Sequence, residues 1–246
     1  MLAIIGGTGL TQLANLEITR REVIRTPYGE PSGALTFGKI REHEVVFLAR
    51  HGYGHTIPPH EVNYRANMWA LHSQGVKNVV SVASVGGIPP DYAPGTIVIP
   101  DQIIDYTHSR KSTYFEGGEK PVTHVDFTEP YCEEMRRRCM RAAALAGEKY
   151  LDGGVYAAVQ GPRLETKAEI NRLERDGATM VGMTGMPEAV LAKELGLRYA
   201  AIAVVANFAA GRDASRHGIQ FKEIEIVLTN AMQRVRAILE HLVALE

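Results

Sequence analysis

The sequence predicts an α/β protein, with one domain over residues 1–246 in which helices flank a central mixed, largely parallel sheet. Three observations predict this fold class. Short runs rich in valine, isoleucine and alanine alternate with longer amphipathic stretches. Glycines follow the amphipathic stretches where helix C-caps are expected. The length suits one α/β domain. Strands that alternate with helices need crossover connections, so we expect a sheet covered on both faces.

The apolar runs predict buried strands, and the amphipathic stretches predict helices. The predicted strands are Leu2–Ile5, Val45–Ala49, Val79–Ala83, Thr96–Ile99, Val155–Val159, Met180–Met183 and Tyr199–Ala206. The predicted helices are Val62–Gln74, Pro130–Ala146, Lys167–Arg175, Met186–Leu195 and Phe221–Leu245. The polar segment Thr107–Asp126 has no clear period and predicts a long loop. Such a loop forms either the lid or edge of a site, or a disordered surface excursion.

Composition and charge exclude several classes of protein. The formal net charge is −1, so the chain lacks the basic field that non-specific nucleic-acid binding needs. No apolar run approaches the ~20 residues that span a bilayer, which predicts no membrane insertion. Only Cys132 and Cys139 are present, and no basic leader precedes the first apolar run. A reducing cytoplasm is therefore the expected location.

Small and polar residues follow four of the predicted strands. Gly6-Gly7-Thr8-Gly9 follows the first strand, Arg50-His51 the second and Ser84-Val85-Gly86-Gly87 the third, while Thr184 follows a later one. Carboxyl ends of strands are where open α/β sheets bind ligands, so these groups are expected to converge on a small dianion such as phosphate. Arginine offers a planar fork and histidine a further donor. Each motif alone fits an ordinary tight turn equally well.

Two other kinds of site are less consistent with these residues. A dinucleotide fingerprint would need a third glycine, which the segment from Gly7 to Gln12 lacks. His51, His55 and His60 suggest a metal, but glycines and prolines separate them and no carboxylate or cysteine cluster accompanies them. We expect no metal site.

Two further segments carry groups suited to reading a ligand. Gly161–Thr166 joins a strand to a helix and places Glu165 at the helix start, where an acid also stabilises the helix dipole. Asn207 ends the last apolar run, where an amide also satisfies turn backbone.

At these residues the chain resembles the nucleoside phosphorylases of the purine nucleoside and 5'-methylthioadenosine type, over nearly its whole length. The matching pieces, in order, are Ile5–Leu10, Leu48–Gly52, Val62–Asn67 with Trp69–Leu71, Gly161–Arg163, Val181–Thr184, and Pro187–Glu188 with Val190–Glu194. Several independent motifs in one order make chance agreement improbable. The departures are Tyr53, where both branches often have arginine, and Leu164, which replaces an aromatic residue that usually packs on the base.

The resemblance implies a role for each matched residue. Phosphate binding is implied for Thr8, Arg50, His51, Ser84 and Thr184, and contact with the ribose for Met183. Substrate binding is also implied for Leu164, Phe208 and Ala209. Enzymes specific for 6-aminopurines have aspartates at the positions of Asn207 and Ala209. Asn207 instead matches the 6-oxopurine enzymes, where it binds N7 and O6, and Glu165 matches the glutamate that accepts from N1–H. The catalytic residues implied are Asn207, Glu165 and His51.

For the sugar end of the nucleoside, the set of motifs is closer to that of the methylthioadenosine phosphorylases than to that of the inosine phosphorylases. His124 is then expected to contact the sugar or its 5' substituent, and Ile219 and Ile224 to form an apolar wall for a thioether, although ordinary helix packing also explains both isoleucines.

The substrate implied is S-methyl-5'-thioinosine. Phosphorolysis of 5'-methylthioadenosine or of inosine and guanosine, and a nucleoside-binding module without turnover, are the alternatives. The resemblance also implies a homotrimer, in which His124 could serve a neighbouring subunit, and a reaction that needs phosphate but no cofactor.

Overall fold

The computed structural model describes residues 1–118 and 121–246, which form an α/β fold. The strands in these ranges are β1 (Leu2–Gly6), β2 (Glu17–Glu22), β3 (Leu35–Ile40), β4 (His43–Ala49), β5 (Asn78–Gly87), β6 (Ile97–Ile99), β7 (Gln102–Asp105), β8 (Leu151–Asp152), β9 (Val155–Ala158), β10 (Met180–Gly182) and β11 (Arg198–Phe208). The α-helices are α1 (Tyr64–Ser73), α2 (Glu133–Leu145), α3 (Lys167–Arg175), α4 (Gly185–Glu194) and α5 (Phe221–Val243), and a short 3-10 helix spans Asp213–Ser215.

The strands form one mixed sheet. Its main path runs β2-β3-β4-β1-β5-β10-β9-β7, and β11 branches from β5 toward β6 and β8. Strand β1 lies parallel to β4 and β5, and β11 lies parallel to β5, so the centre of the sheet is parallel. Strands β2 and β3 add an antiparallel edge. The predicted fold class, a mixed sheet flanked by helices, is confirmed.

Strand β1 explains why the central strands are continuously apolar. Ala3 and Ile5 pack into the cluster that contains residues of α1 and α4. Leu2 and Ile4 pack into a second cluster on the opposite face, with residues of α2 and α5. All four side chains are fully buried. A strand covered on both faces has no polar face to alternate with, which is the pattern expected of a parallel sheet between helices.

The predicted elements agree with the structure except at boundaries and at weak strands. Helix α3 has the predicted bounds, whereas α1 begins at Tyr64 because Asn63 is its N-cap, with Oδ1 accepting from Ala66 N at 3.0 Å. Strand β2 was not predicted, because it carries mostly charged residues and is exposed throughout. Strands β3, β7 and β8 were also not predicted. Among the described residues, no helix has the length and apolarity needed to cross a membrane.

The segment Thr107–Asp126 has no helix or strand in its described part, yet its first half packs against the protein. The backbone N–H of Tyr114 donates to Glu194 Oε2 at 2.7 Å, and Thr113 Oγ1 donates to the other oxygen of that carboxylate at 2.7 Å. Arg65 on α1 pairs with Glu116 at 2.7 Å. Tyr114 is buried. Thr113 and Tyr114 thus pack against α4 and α1, while His108, Lys111 and Ser112 of the same half are exposed.

Candidate active site

A cavity of about 630 Å³ lies where the first central strands end. The loops after β1 and β4, the last residues of β5, the segment after β10 and the end of β11 all contribute to it. The sequence-predicted residues that line this one cavity are Thr8, Arg50, His51, Ser84, Leu164, Glu165, Met183, Thr184, Asn207, Ile219 and Ile224. Residues predicted to bind phosphate and residues predicted to bind the nucleoside therefore line the same cavity.

Three predicted residues are not in the lining. Phe208 is the half-buried last residue of β11. Ala209 is only 1% exposed and packs into the cluster that contains Ile170 of α3. His124 is exposed in the segment after β7. Their roles remain predictions.

Gly7 sets how closely the β1 loop approaches the neighbouring strand. A Cβ at this position would lie 2.7 Å from the carbonyl oxygen of Val82 and 2.8 Å from Nη1 of Arg50. Both distances are shorter than a carbon contact allows, so only glycine fits here. The glycine therefore lets the loop that carries Thr8 approach Arg50, and both residues line the cavity.

Arg50 is held by a buried carboxylate. Its Nε donates to Glu188 Oε2 at 2.6 Å and its Nη2 to Glu188 Oε1 at 2.9 Å. Nη2 also donates to Ser81 Oγ at 2.6 Å, and Nη1 to the carbonyl of Val82 at 3.2 Å. The planar guanidinium of Arg50, which the sequence predicts to bind a dianion, thus binds Glu188. When hydrogen bonds to the described residues are counted, one hydrogen on Nη1 of Arg50 remains for a ligand.

Glu188 is a residue that the sequence reasoning did not assign. Its side chain and that of Arg50 are each 1% exposed, and Tyr199 donates a further hydrogen bond to Oε1 at 2.8 Å. Burial acts to lower the pKa of Arg50, but the charge and hydrogen bonds of Glu188 outweigh it and raise that pKa. The guanidinium therefore stays charged at all working pH values.

His51 is neutral and offers an acceptor. Its Nδ1 lies 2.8 Å from the carbonyl oxygen of Ile57. Because a carbonyl only accepts, Nδ1 carries the proton and Nε2 has a free lone pair. Burial, reinforced by the charge of Arg50, lowers the pKa of His51 to about 4. The sequence predicts a donor here, whereas the structure gives an acceptor suited to a protonated phosphate oxygen or a hydroxyl.

Glu165 lies just before α3 and also lines the cavity. The N-terminus of α3 is capped by Thr166 and Glu169, whose side chains each accept from the other residue's backbone N–H. Capping therefore does not require Glu165, which lines the cavity instead. Burial raises the pKa of its carboxyl. Glu165 therefore lines the cavity while it also lies beside the N-terminus of α3, where a carboxylate stabilises the helix dipole.

Asn207 is turned toward the cavity by an irregularity in β11. The register between β11 and β5 shifts between Val205 and Asn207. The amide Nδ2 donates to the carbonyl of Phe208 at 2.7 Å. One N–H and the Oδ1 acceptor remain, and a purine with O6 and a protonated N7 needs that pair.

The start of α5 closes one side of the cavity with apolar side chains. Ile219 and Ile224 lie there as predicted. Phe221 also lines the cavity while 69% exposed, and was missed because a single exposed aromatic gives no periodic signal. Within residues 1–118 and 121–246, no group of three or more His, Cys, Asp or Glu side chains could hold a metal ion.

The strand-end cavity, lined by an arginine and a histidine and also by a glutamate and an asparagine, is that of an α/β phosphorylase. The chain belongs to the phosphorylase superfamily, whose family model matches residues 1–244. The family predicted from the motifs is thereby confirmed.

Individual relatives agree with this membership. A probable S-methyl-5'-thioinosine phosphorylase of Pseudomonas syringae pv. tomato is 52% identical over 96% of both chains. A 6-oxopurine nucleoside phosphorylase of Pyrococcus furiosus is 47% identical over 87% of this chain and 82% of that one. The structure of methylthioadenosine phosphorylase from Schistosoma mansoni in complex with adenine has a TM-score of 0.94 at 32% identity, and covers 99% of this chain and 91% of that one.

Proposed function

We propose that this enzyme splits S-methyl-5'-thioinosine with inorganic phosphate, giving hypoxanthine and 5-methylthioribose 1-phosphate. The single observation that carries the proposal is one cavity lined both by groups suited to an anion, Arg50 and His51 among them, and by the side chains of Glu165 and Asn207. Relatives of about half identity that are named as methylthioinosine and 6-oxopurine phosphorylases support the same activity.

Cleavage of the N-glycosidic bond leaves positive charge on the sugar and negative charge on the departing purine. The C1'–N9 electron pair leaves with the base while a phosphate oxygen forms the new bond to C1'. Phosphate would be held by the free Nη1 hydrogen of Arg50, by Thr8 and Thr184, and by the backbone at Ser84. The acceptor at His51 Nε2 would orient a protonated phosphate oxygen. These fixed groups stabilise the transition state without reorganisation.

Two side chains would favour a 6-oxopurine. The carboxylate of Glu165 accepts a hydrogen bond from N1–H of hypoxanthine, whereas adenine presents an acceptor at N1. The free N–H of Asn207 donates to O6, and its Oδ1 accepts from N7 once the departing base has taken up a proton from water there. The hydrogen bond to O6 strengthens as negative charge develops on the base, so Asn207 assists catalysis as well as selection, whereas Glu165 serves selection.

The 5' end of the substrate would meet the apolar side chains at the start of α5. Ile219, Phe221 and Ile224 offer no hydrogen bond to a 5' hydroxyl, whereas a methylthio group suits an apolar, polarisable contact.

The proposal extends to the assembly and its surroundings. A cytoplasmic homotrimer would bring His124 of one subunit to the cavity of the next, and the exposed apolar Val122 beside it suits a subunit contact. The reaction would use phosphate as co-substrate and no cofactor.

The test is a panel of four nucleosides, with and without phosphate: methylthioinosine, methylthioadenosine, inosine and adenosine. The proposal expects phosphate-dependent release of hypoxanthine, fastest from methylthioinosine. Release of adenine at the same rate would favour a methylthioadenosine enzyme, as the likeness to the Schistosoma mansoni structure suggests. No base release with phosphate would leave a nucleoside-binding module.

A further inference from the structure

Arg110 in the loop after β7 donates hydrogen bonds to two segments that line the cavity. Its Nη1 donates to the carbonyl oxygens of Met183 at 2.8 Å and Met186 at 2.7 Å. Its Nη2 donates to the carbonyl oxygens of Gln160 at 2.8 Å and Val159 at 3.3 Å. Nε donates to the side-chain oxygen of Gln160 at 3.1 Å. One guanidinium therefore joins the segment that precedes Glu165 to the segment that contains Thr184.

A third wall of the cavity is connected to the same guanidinium. Nη1 of Arg110 lies 3.3 Å from the hydroxyl of Tyr64, and that hydroxyl donates to the carbonyl of Pro59 at 2.8 Å. Pro59 lines the cavity. All the acceptors of Arg110 among the described residues are uncharged oxygens, so its charge strengthens each hydrogen bond and is not neutralised by a carboxylate.

The segment that carries Glu165 lines two cavities, the second of which has a volume of about 560 Å³ and is lined by Gln160, Gly161, Arg163 and Glu165 itself. Besides Arg110, the side chain of Glu169 on α3 supports this segment by accepting hydrogen bonds from Arg163 and from the backbone N–H of Thr166. Pro162 and Leu164 face the first cavity. Gly161 has a left-handed φ of 61°, and so its backbone departs from regular structure as it passes Met183. A segment between two cavities cannot be held by packing alone, so hydrogen bonds to its carbonyl groups fix its position.

We infer that Arg110 is a positioning residue, which holds the base-binding segment in register with the segment that binds sugar and phosphate. The inference rests on the proposed function. Arg110 is not among the residues that line the cavity. Most of the proposed phosphate ligands lie just after β1 and β4 or on β5, and Arg110 donates no hydrogen bond to these residues. Loss of Arg110 should therefore misalign the nucleoside much more than it weakens phosphate binding.

The test compares Arg110→Met with Arg65→Met. Arg65 supports the same loop through the carbonyl of Thr113 at 3.3 Å and through Glu116, but donates to no carbonyl of the two cavity segments. For Arg110→Met we expect kcat to fall roughly 30- to 100-fold, because small misplacements of reacting groups cost that much. We expect a raised KM for nucleoside and a KM for phosphate within about threefold of wild type. Arg65→Met should stay within about threefold in every parameter.

A second readout does not depend on turnover. Amide hydrogen exchange in residues 159–166 should accelerate in Arg110→Met and stay unchanged in Arg65→Met. Three results would overturn the inference: an equal loss of kcat in Arg110→Met and Arg65→Met, an equal rise of the KM for nucleoside and the KM for phosphate in Arg110→Met, or unchanged amide exchange in Arg110→Met.

If Arg110→Met does not fold, Arg110→Lys decides the matter. It keeps the charge but has three N–H donors in place of five, and should lose kcat roughly tenfold with phosphate KM unchanged. Wild-type kinetics in that variant would also overturn the inference. A wild type that releases no base with phosphate would refute the proposed function, while the exchange data would still decide the role of Arg110.

Discussion

Replacing Glu188 with alanine would leave the guanidinium of Arg50 charged and buried without its carboxylate. Three hydrogen bonds to Glu188 would be lost, from Nε and Nη2 of Arg50 and from the hydroxyl of Tyr199. Both partners of the ion pair are 1% exposed, so water cannot replace the lost carboxylate without entering the core. Breaking such a buried pair costs about 3–5 kcal/mol. For a chain of this size, that corresponds to a fall in Tm of roughly 6–20 °C.

The assay is urea unfolding of Glu188→Ala beside Glu22→Ala. Glu22 pairs with Arg20 at 3.3 Å, with side chains 45% and 56% exposed, and an exposed pair contributes about 0–1 kcal/mol. If Glu188→Ala unfolds within about 1 kcal/mol of wild type, as the surface control should, then the account of Arg50 as a charge held by a buried carboxylate is wrong. In the folded fraction of Glu188→Ala, the KM for phosphate should rise, because the Nη1 hydrogen of Arg50 loses its fixed direction.

Three further predictions concern the other groups of the cavity. The double variant Asn207→Asp/Ala209→Asp should shift the kcat/KM ratio by roughly tenfold or more toward the 6-aminopurine, and an unchanged ratio would contradict the role of these positions. As pH falls through the raised pKa of Glu165, its carboxylate gains a proton, becomes a weaker acceptor for N1–H and can donate to N1 of adenine, so the 6-oxo preference should decline in wild type but not in Glu165→Gln. The pKa of His51 is about 4 in the folded state and ~6.5 in the unfolded chain. The contribution of His51 to the free energy of unfolding is therefore constant above pH 6.5 and falls between pH 6.5 and 4, because only the unfolded chain takes up the proton there. Urea unfolding at pH 7 and pH 4.5 should show wild type losing roughly 2–3 kcal/mol more than His51→Gln, and equal losses would refute a neutral, buried His51.

The fold could be predicted because its central strands carry a strong local signal. A strand such as β1, buried on both faces, is an unbroken apolar run, and glycines mark where helices end. Strand β2 could not be predicted, since its charged, exposed residues are held by pairing with β3 and not by burial. Such pairing depends on the partner strand, and the sequence of β2 alone does not encode it.

The cavity could be predicted in outline because its ligands follow successive strands. Thr8, Arg50 and Ser84 are close in space for that reason. Glu188 could not be predicted as the partner of Arg50, because 138 positions separate them and no periodicity links them. The acceptor character of His51 was also hidden, since it depends on the carbonyl of Ile57 and on burial. Residue types predict where chemistry lies, whereas hydrogen-bond partners decide which atom performs it.

The central claim is phosphate-dependent cleavage of a 6-oxopurine nucleoside that carries a 5'-methylthio group. The most direct measurement is the kcat/KM for methylthioinosine and for methylthioadenosine, with the same sugar and in the same phosphate buffer. A site that accepts from N1–H should favour methylthioinosine by roughly 100-fold or more, since adenine presents an acceptor at N1 and leaves the carboxylate of Glu165 unpaired. Equal values for the two nucleosides would contradict the account.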